Sequence, residues 1–260
     1  MQTAAEDFPR LNILGVGVSA IGMADALHKV DEWIHTRQPH YVCVTPAHAI
    51  MECQRDPKLA DIYNHSGLTT PDGMAIVWLL KWYGYAGVER VYGPDLLQAV
   101  CQVSPARGYR HYFYGGTPAV VAQLAQKLQR SYPGLQVVGF ESPPFRPLSE
   151  AEDAAGVERI RAAQPDVVWV GIGSPRQERW MQAHLDRLEV PVLVGVGAAF
   201  DFLSGAKRQA PPWMQRMGLE WFFRLLSEPG RLWRRYLLGY PQFVVLVLLQ
   251  RLGLRRYSIE

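Results

Sequence analysis

The stretch TTPDGMAIVW, Thr69 to Trp78, sets Asp72 between a proline and a glycine just ahead of an apolar run. A short carboxylate fixed at a strand-to-helix junction can take a proton from a hydroxyl, which makes Asp72 a candidate general base. The same carboxylate also has a local use. With Thr70 as N-cap and Pro71 in the first turn, Asp72 would favour the positive end of the helix dipole. In ERVYGPDLL, Arg90 stands three residues before Gly93. A guanidinium beside a glycine-rich turn suits a diphosphate through paired charge-assisted hydrogen bonds, although an isolated arginine is usually a solvated surface charge. In GIGSPRQERW, Ser174 and Gln177 have capping-box spacing with Pro175 at the first helical position. Glycines leading into a helix N-terminus also form an anion site, which leaves Gln177 as cap or ligand.

These residues need elements to hold them. Apolar runs at 11–18, 41–45, 109–116, 135–141, 166–173 and 190–197 alternate with segments of helical spacing. Continuous apolar runs suit strands buried on both faces of a parallel sheet. The βαβα order predicts a Rossmann-like, doubly wound, mostly parallel α/β sheet. Three runs end in G-x-G: Gly15/Gly17, Gly171/Gly173 and Gly195/Gly197. Open α/β sheets place ligands at the carboxyl ends of strands, so Gly15, Gly17, Gly171, Gly173 and Gly197 are candidate substrate-binding positions. The first run, GVGVSAIG, lacks G-x-G-x-x-G spacing, which weakens a dinucleotide reading.

Composition narrows the chemistry. The chain of 260 residues carries a net charge of +3, yet residues 201–260 hold ten Lys/Arg against four Asp/Glu, a net +6. A basic tail can meet nucleic acid, anionic lipid or a phosphorylated ligand. Its arginines alternate with leucines and tryptophans as in packed amphipathic helices, which argues against nucleic acid. Cys43, Cys53 and Cys101 have no C-x-x-C spacing and read as small buried hydrophobes rather than as a disulfide framework or zinc site. No D-x-D occurs, so a nucleotide diphosphate would be neutralised by cationic side chains and helix dipoles, with no metal and no cofactor expected.

The chain divides at the composition shift into residues 1–202, the α/β domain, and 203–260, a helical Arg-rich appendage cut into short helices by Pro211, Pro212, Pro229 and Pro241. The apolar run Phe243–Leu249 is too short for a bilayer span, which needs about 20 residues. It fits either a helix in the membrane interface or one docked on the protein. The start MQTAAEDFPR lacks a secretory pattern and predicts a cytoplasmic protein.

Taken together, TTPDGMAIVW, ERVYGPDLL, VGIGSPRQERWMQAHL and VGVGAAFDFLSGAKRQAPPWMQRMGLEWFFRLLSEPGRLWRRYL resemble the WecG/TagA/CpsF family of bacterial glycosyltransferases over almost the whole chain. The resemblance implies an inverting transferase that moves a sugar from a UDP-sugar to a polyprenyl-diphosphate-linked saccharide in surface polysaccharide biosynthesis. It would work peripherally on the inner face of the cytoplasmic membrane, against an anionic surface, and self-association is allowed. It also implies that the appendage completes the active site. On this resemblance Asp72 is the catalytic base, Thr45 a substrate-site threonine, and Arg90 and Gln177 pocket residues. Arg224, Arg231 and Arg234 would neutralise the leaving diphosphate. The family's usual Asn after the threonine is replaced here by Pro46-Ala47, with His48 as the substitute polar group. The donor sugar is open among N-acetylmannosamine, its uronic acid, glucose and other hexoses. The competing expectations are a nucleotide-dependent oxidoreductase, which would show NADH affinity, and a non-enzymatic peripheral membrane scaffold, which would show no UDP affinity.

Overall fold

The computed structural model describes residues 8–259. The acidic start from which the cytoplasmic expectation comes therefore lies largely outside the described residues. The strands are β1 (Arg10–Ile13), β2 (Val16–Ser19), β3 (His40–Thr45), β4 (Leu68–Pro71), β5 (Arg110–Gly115), β6 (Gln136–Glu141), β7 (Val167–Gly171) and β8 (Val192–Gly195). The chain forms two compact units: Met1–Met23, Thr45–Tyr92 and Ala210–Glu260 make the first, Ala24–Val44 and Gly93–Gln209 the second. These units cut the chain at other places than residue 202.

The second unit carries the parallel sheet, in the order β3-β8-β7-β5-β6. Its central strands are the uninterrupted apolar runs of the sequence. Val167 to Val170 and Val192 to Val194 are buried side by side, as strands covered on both faces must be. Flanking helices have well-made starts. Thr117 Oγ1 accepts from Val120 N–H at 3.3 Å ahead of Pro118–Ser131. Ser149 and Glu152 form a complete capping box ahead of Glu150–Ala163. Such caps contribute about 1 kcal/mol each. The α/β parallel architecture is as the sequence predicts, and all three cysteines are buried free thiols.

The first unit departs from expectation. The run at 11–18 is not one strand of the parallel sheet but an antiparallel hairpin of β1 and β2. Leu14 and Gly15 both have positive φ, 51° and 83°. Two such residues make the mirror-image turn whose twist matches a hairpin, and an apolar leucine disguises it in the sequence. The turn is held by the distant end of the chain: Asn12 Nδ2 donates to Tyr257 O at 2.7 Å, and Gln250 Nε2 to Asn12 O at 2.9 Å. The short β4 and the helices Ala47–Cys53 and Pro57–Asn64 also belong to this unit, and periodicity did not mark them. Ser19 N–H donates to Thr69 Oγ1 at 3.1 Å, so β4 lies along β2.

The tail forms helices at Pro212–Arg216, Glu220–Ser227, Pro229–Trp233 and Tyr240–Arg251, with a π-helical segment at Arg234–Gly239. Pro212 and Pro229 open helices, as expected. Pro241 also falls in a first turn, that of Tyr240–Arg251, but the helical run passes into it without a break from the π segment that ends at Gly239. No described helix is long and apolar enough to cross a membrane.

Candidate active site

Asp72 stands directly after β4, and its N–H reaches the carbonyl of Thr45, the last residue of β3, at 3.4 Å. Gly73, at φ 80°, turns the chain into the helix Met74–Trp82, which starts without any side-chain cap. The local reading of this stretch is therefore overturned. Thr70 lies in β4 and donates to Val91 O at 3.2 Å, and Asp72 precedes the helix instead of occupying its first turn. The carboxylate is left facing a pocket.

That pocket lies within the first unit. Its walls include His48, Asp72, Arg90, Glu220, Arg224 and Tyr236, so the tail supplies about half of it. Burial raises Asp72 to a pKa of about 6; Arg90 pulls it down and Glu220 pushes it up. Arg90 Nε lies 3.6 Å from Asp72 Oδ1, an ion-pair distance beyond hydrogen-bond reach. The guanidinium is committed elsewhere. Its Nη2 donates to Glu220 Oε2 at 2.6 Å, its Nη1 to Gln215 Oε1 at 3.2 Å, and its plane lies 3.8 Å over the Tyr92 ring. Tyr92 Oη completes the contact by donating to Glu220 Oε1 at 3.0 Å.

His48 is held well below its ordinary pKa by burial and by Arg235, Arg224 and Arg231, and so is a neutral imidazole near neutral pH. The cations acting on it are not the trio chosen from sequence. Arg224 and Arg231 act on it electrostatically together with Arg235, whereas Arg234 is exposed and lies 5.3 Å over the Trp233 ring.

Other predicted residues lie elsewhere. Thr45 is fully buried and contributes its carbonyl to placing Asp72. Gly15 and Gly17 lie against the chain's own end, where added Cβ atoms would stand 3.3 Å from Ser258 O and from Ile259 Cδ1. Gln177, Gly171, Gly173 and Gly197 belong to the second unit. The helix after Ser174 starts at Arg176 with no side-chain cap, so the capping-box reading fails. Gln177 instead accepts from Gly197 N–H at 3.0 Å and donates to Glu178 Oε1 at 3.0 Å. Gly171 serves packing, since a Cβ there would meet Phe200 Cδ2 at 2.8 Å, whereas Gly173 has nothing within 4 Å. Sequence reasoning missed Glu220, Tyr92 and Arg235. No local signal marks Glu220, one of four acids in residues 201–260.

Within the first unit, a carboxylate raised in pKa shares a pocket with Arg90 and Arg224, an arrangement suited to group transfer with an anionic leaving group. Comparison with known proteins makes this specific. The chain belongs to the glycosyl transferase WecG/TagA/CpsF family, whose model matches residues 11–257. Similar proteins include two named N-acetylglucosaminyldiphosphoundecaprenol N-acetyl-beta-D-mannosaminyltransferase. The one from Bacillus spizizenii is 31% identical over 197 residues, covering 76% of this chain and 74% of the relative. The one from Bacillus subtilis strain 168 is 29% identical over 195 residues, covering 75% and 73%. The protein is thus a glycosyltransferase, and the oxidoreductase and scaffold expectations fall.

Proposed function

We propose that this glycosyltransferase moves a hexose, with N-acetylmannosamine the leading donor sugar, from a UDP-sugar to a polyprenyl-diphosphate-linked saccharide with inversion. The observation that carries the reading is the partly buried Asp72 carboxylate, with a pKa of about 6, in a pocket shared with Arg90 and Arg224. Asp72 takes the proton of an acceptor hydroxyl. The oxygen forms a bond to the anomeric carbon as the bond to the UDP oxygen breaks on the opposite face, and the electron pair leaves on the diphosphate. A positioned base contributes on the order of 10²- to 10⁴-fold. Arg224, Arg231 and Arg235 stabilise the departing charge electrostatically, in the role that a metal ion plays elsewhere. The names of the two relatives support the lipid-linked acceptor and the mannosaminyl group. Gln177 is assigned to the donor on the family resemblance alone.

We also assign the tail to an anionic membrane surface on the cytoplasmic side. The helix Tyr240–Arg251 buries Phe243, Leu246 and Val247 but leaves Val244, Val245 and Leu248 exposed, close to the basic residues Arg251, Arg255 and Arg256. One helix therefore docks on the protein and also offers an apolar face, which unites the two expectations for this segment.

The test is Asp72→Asn in a transfer assay with UDP-sugars and a short-chain lipid-linked acceptor. The variant is expected to fold, to bind UDP in a thermal-shift titration and to lose at least 10²-fold in turnover. Wild-type turnover would remove Asp72 as the base.

A further inference from the structure

Resting on the reading of Asp72 as the base, we propose that Glu220 is a positioning residue: it draws the Arg90 guanidinium away from Asp72 and so keeps the catalytic carboxylate from closing a two-pronged, hydrogen-bonded pair with it. Arg90 is buried enough that its five N–H groups must find partners in the protein. Its terminal nitrogens are taken by Glu220 Oε2 at 2.6 Å and Gln215 Oε1 at 3.2 Å, both from the tail. Its Nε, which faces Asp72 Oδ1 at 3.6 Å, makes no hydrogen bond among the described residues. A guanidinium next to a carboxylate normally closes a two-pronged, charge-assisted pair with it. Here the geometry withholds that pair: Glu220 takes one terminal nitrogen and Gln215 the other.

Tyr92 fixes the arrangement from two sides. Its ring lies under the guanidinium at 3.8 Å, and its hydroxyl donates to Glu220 Oε1 at 3.0 Å, which orients the competing carboxylate. Without Glu220, Arg90 would turn to the remaining acid, and a paired Asp72 would be a weaker base. The charged and titratable groups around Asp72 are Arg90, Glu220, Arg224, Tyr92, Tyr236 and Tyr240, with His48 on the same pocket wall. Of these, Glu220 is the one other acid. Because Glu220 sits in the tail, the basicity of Asp72 depends on the tail being folded in place, so that the base is active only in a completed pocket.

The experiment compares full-length wild type, Glu220→Gln, Glu220→Asp, Arg90→Gln and the double variant, by pH–rate profiles of kcat/KM and by isotope-edited infrared titration of the Asp72 carboxyl. The infrared titration works without turnover. Glu220→Gln is expected to move the acid limb and the carboxyl titration downward by about one pH unit and to lower the plateau of kcat about tenfold. Glu220→Asp restores most of both. In the Arg90→Gln background the shift caused by Glu220→Gln shrinks, because the competitor for Asp72 is gone. An equal shift in both backgrounds would mean that Glu220 acts directly on Asp72, and would overturn the proposal. An unmoved acid limb and carboxyl titration in Glu220→Gln would overturn it too, while a dead Asp72→Asn would still uphold the base assignment. Retained turnover in Asp72→Asn would instead remove the base, whatever Glu220 does.

Discussion

Asp72 shows how a residue's surroundings set its chemistry. Its pKa of about 6 lies well above the ordinary carboxylate value because burial disfavours the charge more than Arg90 favours it. The base works deprotonated, so kcat/KM is expected to be full above about pH 7 and to fall tenfold per unit below about pH 6, which a pH–rate profile checks. Stability runs the other way. A carboxyl whose folded pKa is raised binds a proton more readily folded than unfolded, so Asp72 weighs against folding as pH rises through the interval between its ordinary pKa and about 6. Asp72→Asn removes that burden and is expected to raise Tm at pH 7.5 by about 2–4 °C while abolishing transfer. From the sequence Asp72, Arg90 and His48 could all be singled out, and the structure brings them to one pocket. Glu220 could not be, because its importance lies in a pairing 130 residues away along the chain with Arg90. Arg235 was hidden for another reason: choosing between adjacent arginines requires the helical phase, and a π segment leaves no pattern in composition.

At the scale of elements, the long buried strands and amphipathic helices of the parallel sheet were legible because their periodicity extends over many residues. The short elements were not. β4 has four residues and ends in proline, and the β1–β2 hairpin turns on a Leu-Gly pair inside an apolar run. Pairing partners, not local preference, decide such segments. The glycine at the end of β7 gives a test of the sheet that does not involve the pocket. Gly171 has no room for a Cβ because Phe200 lies against it, and Phe200 in turn meets Phe113 edge-on at 5.8 Å. Gly171→Ala forces those rings apart, and a loss of about 1–3 kcal/mol is expected in chemical denaturation. Phe200→Leu in the same background should recover part of it, because it frees the volume that the new methyl needs.

For the whole molecule, the proposed role of the tail is to join the chemistry to a membrane surface. Deleting the last helix is a poor probe of membrane contact, since Phe243, Leu246 and Val247 are buried and Gln250 bonds the N-terminal hairpin. Substitution on its open face is cleaner. Val244→Glu with Leu248→Glu is expected to cut sedimentation with anionic vesicles at least tenfold while leaving Tm within about 2 °C of wild type, and unchanged sedimentation would remove the membrane assignment. The hairpin turn at Leu14-Gly15 carries one more consequence, for the birth of the protein. A hydrogen bond joins residues 245 apart, Asn12 and Tyr257, and the unit that holds Asp72 is gathered from both ends and the middle of the chain. Contacts so distant in sequence close late, and synthesis proceeds from the N-terminus. The parallel-sheet unit has its full complement of residues once Gln209 is made, whereas Asp72 waits for residues from Ala210 onward, which are made later. A truncated product is thereby expected to carry the sheet but no assembled base, so that incomplete chains are born inactive.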